Sequence, residues 1–432
     1  AQSSAFRDLT DPQTVEAVEF LRLLEVVNGV PGGLYNSTGT LSRAEFCKMA
    51  VVALDRSDEE SAQRGRTIYL DVGPTHWARG YINLASAITL GGEGDKGGTP
   101  LVSGVGDGTF QPNRPITYGE AVTILCRVLG YGTADVTSGG TWYDGYLSAG
   151  AQAGLTEGLS LSGTDTIDRG QAAILFYNLY FSKVKGSEQT YLEKQGGKSV
   201  EGSILLDVDT TADDNSPAVK TDKDIYKTDR VFDPTLEGKE GKAILDADGK
   251  LLAFQVKDGV SDKVVNVISA QATYLMASGN ERITVEPDTT VYRDGEKTTW
   301  KDCYLNISSS TPVTFHYGAN GKLSHLFFSG TKAEDVTAMV ARTAPKNGAN
   351  PFASMASGGS YTMFKNGVLC SAADIRQYDV ATYDAGTRVI QVSDLKLTGV
   401  YEKVSPSPAA PITITLMGKE FDVLSTARDD LA

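Results

Sequence analysis

The chain is poor in the residues that usually carry chemistry, with three histidines, four cysteines and three tryptophans in 432 residues. No nucleophile elbow, phosphate loop or metalloprotease helix motif occurs, so the common motif-borne catalytic classes are excluded and no cofactor is expected. Glycosidase-type carboxylate pairs stay open, because their spacing is spatial rather than sequential. Four cysteines in a chain this long do not make a disulfide scaffold. Cys47 and Cys126 fall at non-equivalent positions of two helices, and Cys303 and Cys370 are far apart in sequence, so buried free thiols are expected rather than a disulfide. No run approaches the ~20 apolar residues of a membrane helix, and no membrane insertion is expected. There is no basic excess either: 40 Lys and Arg face 54 Asp and Glu, and the net −14 divides as −7 on each side of residue 183. That balance opposes nucleic acid or an anionic membrane as partner.

What the chain does have is a repeated stretch. TLSRAEFCKMAVVAL (40–54) returns as ITYGEAVTILCRVL (116–129) and TIDRGQAAILFYNLY (166–180). Each copy opens with a capping box, Ser42 with Glu45, Thr117 with Glu120 and Asp168 with Gln171, which fixes a helix start. Counted from those caps, the apolar positions coincide: Phe46, Met49, Ala50 and Ala53 match Ala121, Ile124, Leu125 and Val128, then Ala172, Leu175, Phe176 and Leu179. Each helix thus carries one stripe at i, i+3, i+4 and i+7. Three such stripes can be buried together around a pseudo-threefold axis, making one unit from repeats too small to fold alone. The first helical position holds Arg43, Tyr118 and Arg169 in turn. Free N–H groups and the helix dipole favour an anion at that end, and an arginine there completes an anion site. A site built on Arg43 or Arg169 is therefore expected to outbind one built on Tyr118 by roughly tenfold or more.

Before each capped helix runs a lead-in that begins with an aromatic residue and an aspartate: Phe6 and Asp8, Tyr69 and Asp71, Trp142 and Tyr143 with Asp144. An amphipathic helix follows, in the second copy with Trp77, Tyr81, Leu84 and Ile88 on one stripe. Glycine-rich turns and, in the second copy, the segment GDGTFQPNRPIT (106–117) complete the unit.

Residues 1 to about 183 resemble the S-layer homology (SLH) domain family. The second repeat carries YLDV, HWA, GDGTFQP and ITYGE, the first FRDL and LSRAE, the third WYD and IDRGQ. The resemblance implies a three-lobed anchor whose inter-lobe grooves bind a cell-wall polysaccharide, often one bearing pyruvate ketals. It carries the family arginine over to Arg43 and Arg169 and the family aspartate to Asp8, Asp71 and Asp144. Trp77 is either core or sugar platform, and Tyr118 replaces the signature arginine, so at least one groove is expected to be non-functional. The interval from aspartate to first helical residue is 35, 47 and 25 residues, which makes the groove walls unequal.

After KVKGSEQTYLEKQGGKS (183–199), which reads as a linker, the periodicity changes from helical to alternating. Hairpins are expected around Asp248-Gly249, Asn320-Gly321 and Ala385-Gly386. Tyr292 to Gly295 aligns with Phe364 to Gly367, suggesting related small β-domains separated by a loose segment from Ala344 to Ser360. A last strand pair is expected around the proline-rich turn after TGVYEKV. The Asn320-Gly321 hairpin sets His316 opposite His325, flanked by Thr314 with Phe327 and Gly318 with Leu323. With no third ligand in register, no metal site is expected. The acidic run 207–215 lacks the glycine and terminal glutamate of an EF-hand loop.

The sequence thus predicts a multidomain α+β chain: three SLH repeats (1–60, 61–134, 135–183), a linker (184–200), β modules at 201–270 and 271–343, a linker (344–360) and a β module at 361–432. The resemblance implies a secreted, non-enzymatic protein of the cell wall or S-layer, and AQSSAF would suit a mature terminus. Its partners are a cell-wall polysaccharide and, in a surface lattice, copies of itself, with the β modules as spacers. The alternative is an SLH-anchored carbohydrate-active enzyme or carbohydrate-binding protein acting through residues 201–432.

Overall fold

A computed structural model describes residues 4–90, 98–136, 139–307, 311–328, 337–343, 349–356, 360–384, 388–396, 398–408 and 410–423. Its N-terminal part is helical: α1 (Pro12–Leu23), α2 (Arg43–Ala53), α3 (Glu60–Gln63), α4 (Arg79–Ala87), α5 (Tyr118–Val128), α6 (Asp144–Gln152), α7 (Arg169–Phe181) and α8 (Tyr191–Lys194). All three expected capping boxes are formed, and they begin α2, α5 and α7. Every residue of the three stripes is buried, and Phe46 meets Phe176 at 4.9 Å between ring centroids. The lead-in helices pack on the capped helix of the preceding copy: α4 on α2, α6 on α5, and α1 on α7, closing the cycle.

The helix starts interlock. Arg43 N donates to Arg114 O (2.9 Å) and Ala44 N to Pro112 O (3.0 Å); Tyr118 N donates to Asp165 O (2.7 Å) and Gly119 N to Gly163 O (2.9 Å); Arg169 N donates to Gly39 O (3.0 Å) and Gly170 N to Ser37 O (2.7 Å). Each pair of donors opens one capped helix, and each pair of acceptors lies in the loop before another. Small residues at the second helical position let that loop pass, since a Cβ on Gly119 would lie 2.9 Å from Gly163 O. The N–H groups expected to be free for an anion are therefore already satisfied by carbonyls, as buried helix ends require.

The stretch expected as linker is packed. Tyr191 and Leu192 are buried in the helical core, and Tyr191 donates to Ala53 O at 2.8 Å. The first sheet runs β5-β4-β3-β6-β7, from β3 (Lys198–Thr211), β4 (Pro217–Thr221), β5 (Ile225–Lys227), β6 (Glu240–Leu245) and β7 (Leu251–Val256). The expected turn at Asp248-Gly249 joins β6 to β7, with Gly249 at φ +80°. Ile244, Leu252 and Ala253 of this sheet join the helical core, and Gln255 donates to Tyr177 Oη at 3.0 Å.

The second sheet places β8 (Ser261–Gln271), β9 (Tyr274–Ala277), β10 (Glu281–Thr284), β11 (Thr290–Arg293), β12 (Glu296–Thr299), β13 (Pro312–Tyr317) and β14 (Leu323–Phe328) in the order β10-β9-β8-β13-β14-β11-β12. Strand β8, which the sequence reading put in the preceding module, pairs with β13 from Ser261 to Asn266 and so belongs here. The third sheet runs β15-β18-β19-β16-β17, from β15 (Thr337–Val340), β16 (Thr362–Lys365), β17 (Val368–Leu369), β18 (Val380–Asp384) and β19 (Val389–Ser393). Its order repeats β8-β13-β14-β11-β12, including the parallel pair, β16 with β19 as β11 with β14. The aligned turns match in backbone as well: Asp294 and Gly295 (φ 51° and 76°) correspond to Asn366 and Gly367 (φ 50° and 80°). The Ala385-Gly386 turn lies outside the described residues. Phe352, in the stretch expected to be loose, is fully buried in this third core. A last sheet holds β20 (Tyr401–Ser407), β21 (Ala410–Leu416) and β22 (Lys419–Asp422).

All four cysteines are free, three of them buried. Among the described residues no helix is long and apolar enough to cross a membrane, and no group of three or more His, Cys, Asp or Glu side chains could hold a metal ion.

His316 faces His325 as expected, and Thr314 faces Phe327, but a bulge then pairs Tyr317, not Gly318, with Leu323. The two imidazoles stack at 4.6 Å where the first and second sheets meet. His325 Nε2 lies 2.5 Å from Gly238 O, and His316 Nδ1 lies 2.6 Å from Asp262, which Lys239 also approaches. Burial, followed by the neighbouring His316, pushes the His325 imidazole down to about 4. A depressed histidine contributes stability that is complete above its unfolded value near 6.5 and is lost as pH falls toward 4. Thermal melts of the chain and of His325→Gln across pH 7 to 4 should therefore diverge, wild type losing several degrees more; parallel curves would mean that the stacked pair carries no such strain.

Candidate inter-repeat grooves

The loop that receives each helix start is itself held from below. Asp8 accepts from Tyr35 N (2.8 Å) and Asn36 N (2.7 Å), and Asp71 accepts from Phe110 N (2.8 Å) and Gln111 N (2.7 Å). Asn36 and Gln111 both take φ 58°, so the two loops share one conformation. In the second, Asp107 Oδ1 accepts from Thr109 N and Gly106 and Gly108 supply positive φ, which explains the Gly-Asp-Gly-Thr order before Phe110. Asp8 and Asp71 are thus loop braces. Asp144 is not their counterpart: it is the first residue of α6 and accepts from Thr141 N at 2.7 Å. Trp142 stands two residues before α6 as Trp77 stands two before α4, so the third WYD aligns with Trp77-Ala78-Arg79 rather than with Tyr69-Leu70-Asp71.

Trp77 precedes its helix instead of lying on the buried stripe. It is 52% exposed, and the buried face of α4 is made by Ala78, Ile82, Leu84 and Ala85. Arg79 is buried beneath, donating to Arg64 O, Val72 O and Thr67 Oγ1.

The two N1 arginines take the same pose. Arg43 lies over the Phe110 ring (4.6 Å) and donates through Nε to Phe110 O (2.9 Å) and through an Nη to Ser103 O (3.1 Å). Arg169 lies over Tyr35 (4.7 Å) and donates to Tyr35 O (3.0 Å) and Asn28 O (2.8 Å). Their surroundings differ. Arg43 is 6% exposed, and its other Nη meets Glu120 at 2.6 Å. Arg169 is half-buried, and its equivalent glutamate, Glu45, turns back onto Ser42 (2.7 Å). Tyr118 is buried at the third start, where burial raises its hydroxyl above the usual value. Burial likewise pushes Tyr35 up to about 12, so it remains a neutral donor to Arg169 O (3.0 Å).

Around Arg169 opens a groove of about 320 Å³, lined by Tyr35, Glu45, Lys48, Met49 and Trp77 among others. It takes Arg169 from the third copy, Glu45 and Lys48 from the first, and Trp77 from the second. Around Arg43 the corresponding space, between Phe110, Glu120 and Ile124, is about 30 Å³. Among the described residues neither Lys48 nor Arg169 has a carboxylate partner, and Lys48 sits 5.9 Å from the Tyr81 ring centroid. The open groove thus combines two cations with the exposed indole face of Trp77, the chemistry that holds an acidic sugar. Lys48 and Tyr35 escaped the sequence reading. Their signals were present, Lys48 three residues after Glu45 on one helix face and Tyr35 seven before its cap, as Phe110 is before Thr117.

The model for the family described as "S-layer homology domain" matches residues 101–122, which hold the loop that Asp71 braces and the start of α5. This match bears out the resemblance of the sequence to the S-layer homology family. The chain is 26% identical over 317 residues to a cell surface protein of Thermoanaerobacter kivui, a match covering 72% of this chain and 37% of that protein. It is 30% identical over 150 residues to a surface layer protein of Brevibacillus choshinensis (35% and 12%) and 31% identical over 104 residues to a cellulosome-anchoring protein of Acetivibrio thermocellus (24% and 21%). The chain spans little more than a third, or less, of the length of these relatives. Its setting is the cell surface.

The two N1 arginines should separate in a stability assay. Arg43→Ala removes a buried guanidinium from three acceptors and is expected to cost about 3 kcal/mol. Arg169→Ala should cost about 1 kcal/mol or less, since water reaches its site. Urea melts giving equal losses would show that the difference in burial has no energetic weight.

Proposed function

We propose that this chain holds a surface protein to the bacterial cell wall by binding a secondary cell-wall polysaccharide, one bearing acidic groups such as pyruvate ketals, through a pseudo-threefold SLH triplet. The supporting observation is the open groove, in which Arg169 and Lys48 lack carboxylate partners beside the exposed Trp77. Arg169 receives the carboxylate, Lys48 supplies a second charge-assisted bond, and Trp77 forms the sugar platform. Asp8 and Asp71 shape the walls from behind, while Asp144, Arg43 and Tyr118 serve the scaffold.

The β modules act as a non-enzymatic spacer or lattice element. Their junctions are cross-braced: Arg230 pairs with Glu16, Gln391 donates to Asn266 (2.9 Å), and Arg388 lies 3.6 Å from Asp233. A groove of about 280 Å³ at the seam between helices and first sheet is acidic, which would suit the enzymatic alternative. One of its carboxylates is committed to the fold, however, Asp246 accepting from Asp248 N and Lys250 N at 2.9 Å each, and Asp229 lies 4.0 Å from Lys250.

The full chain should sediment with intact wall sacculi and lose most of that binding once the secondary polymer is stripped. Arg169→Ala and Lys48→Ala should each weaken binding about tenfold, the loss of one charge-assisted contact. Equal binding to stripped and intact walls, or full binding by Arg169→Ala, would overturn the assignment.

A further inference from the structure

The open and closed grooves are built on the same backbone, and one residue separates them. Arg114 occupies the place that Gly39 holds in the first copy, since both carbonyls receive the N1 N–H of a capped helix. From there Arg114 reaches Glu120 Oε1 at 2.5 Å, the same oxygen that Arg43 contacts at 2.6 Å. Two guanidinium groups on one carboxylate oxygen draw Glu120 across the space that its equivalent, Glu45, leaves open. Arg114 Nε is buried with no acceptor among the described residues, so this reach strands one donor. Three further parts of an anion site are present: Arg43 in the pose of Arg169, Phe110 in place of Tyr35, and Trp142, 57% exposed, at the helix position of Trp77.

We propose that Arg114 is a latch that shuts a second acidic-glycan groove, so that the chain carries one competent site where its backbone builds two. The inference rests on the binding reading given above. With Arg114 removed, Glu120 is held only by Arg43 (2.6 Å) and by the capping contact its other oxygen makes with Thr117 N (3.1 Å), and an entering carboxylate can displace it from Arg43 onto that cap. Arg43 is then left facing a groove of the open kind. The second site lacks one cation, because Thr123 stands where Lys48 stands in the first.

The test is calorimetry on the full chain with a pyruvylated disaccharide as probe, comparing wild type, Arg114→Gly and Arg114→Ala, each with and without Arg169→Ala. Wild type should show one site, and Arg169→Ala that same site weakened about tenfold. Both Arg114 variants should show two sites, the new one about tenfold weaker for want of a lysine, and should keep that weak site when Arg169 is also replaced. Two sites in wild type, or no gained site in folded Arg114 variants, would overturn the latch while leaving the first groove intact. Silence in wild type with one site in the Arg114 variants would instead sink the first groove and uphold the latch, and silence in both would sink both. Loss of folding in both Arg114 variants would also overturn it, because Arg114 would then be a strut of the fold.

Discussion

Everything in the helical part depends on six backbone hydrogen bonds at the starts of α2, α5 and α7. Each start donates two N–H groups to the loop in front of another capped helix, so no copy can form its own loop and helix without the other two. A helix end carries orphan donors whose burial is costly unless they are met. Here one copy's orphans fix the next copy's loop. The arrangement also leaves none of these six donors for an anion. What faces each groove is then set by side chains that leave the ring, and their freedom governs which groove is open.

The ring explains why the lead-in helices sit on their predecessors. Once the loop before α5 is pinned to the start of α2, the chain entering that loop must run alongside α2, and α4 is the helix that does so. Asp71 and Asp8 complete the constraint from the other side by holding two successive N–H groups of the loop.

Local signals survived the passage from sequence to structure, and long-range ones did not. The capping boxes, the three buried stripes and the turns at Asp248-Gly249 and Asn320-Gly321 each depend on residues within a few positions, and each is formed. The fate of Arg43 depends on Arg114 and Glu120, more than seventy residues away, and no local pattern marks it. Asp144 was misaligned because an aromatic-aspartate pair reads alike before a loop and at a helix start. Trp77 read as part of an apolar stripe because a helix boundary two residues later is invisible to periodicity. The register beyond His316 slipped for a similar reason, since a bulge costs one residue and leaves no mark in an alternating pattern.

The helical part and the β modules are joined by more than a stretch of chain. A flexible linker would let the β modules swing freely, yet the residues after α7 form α8 and bury Tyr191 against α2 through its bond to Ala53 O. Helix α1 then serves two partners: it packs on α7, which closes the ring, and on β7 of the first sheet. Glu16 on α1 holds Arg230, and Arg22 on α1 reaches Asp229 O at 3.4 Å, so the seam is charged as well as apolar. A load on the β modules therefore reaches α1 before the open groove. Since α1 is held by the closed ring of helix starts, that load is shared among all three copies instead of falling on the one groove that is open.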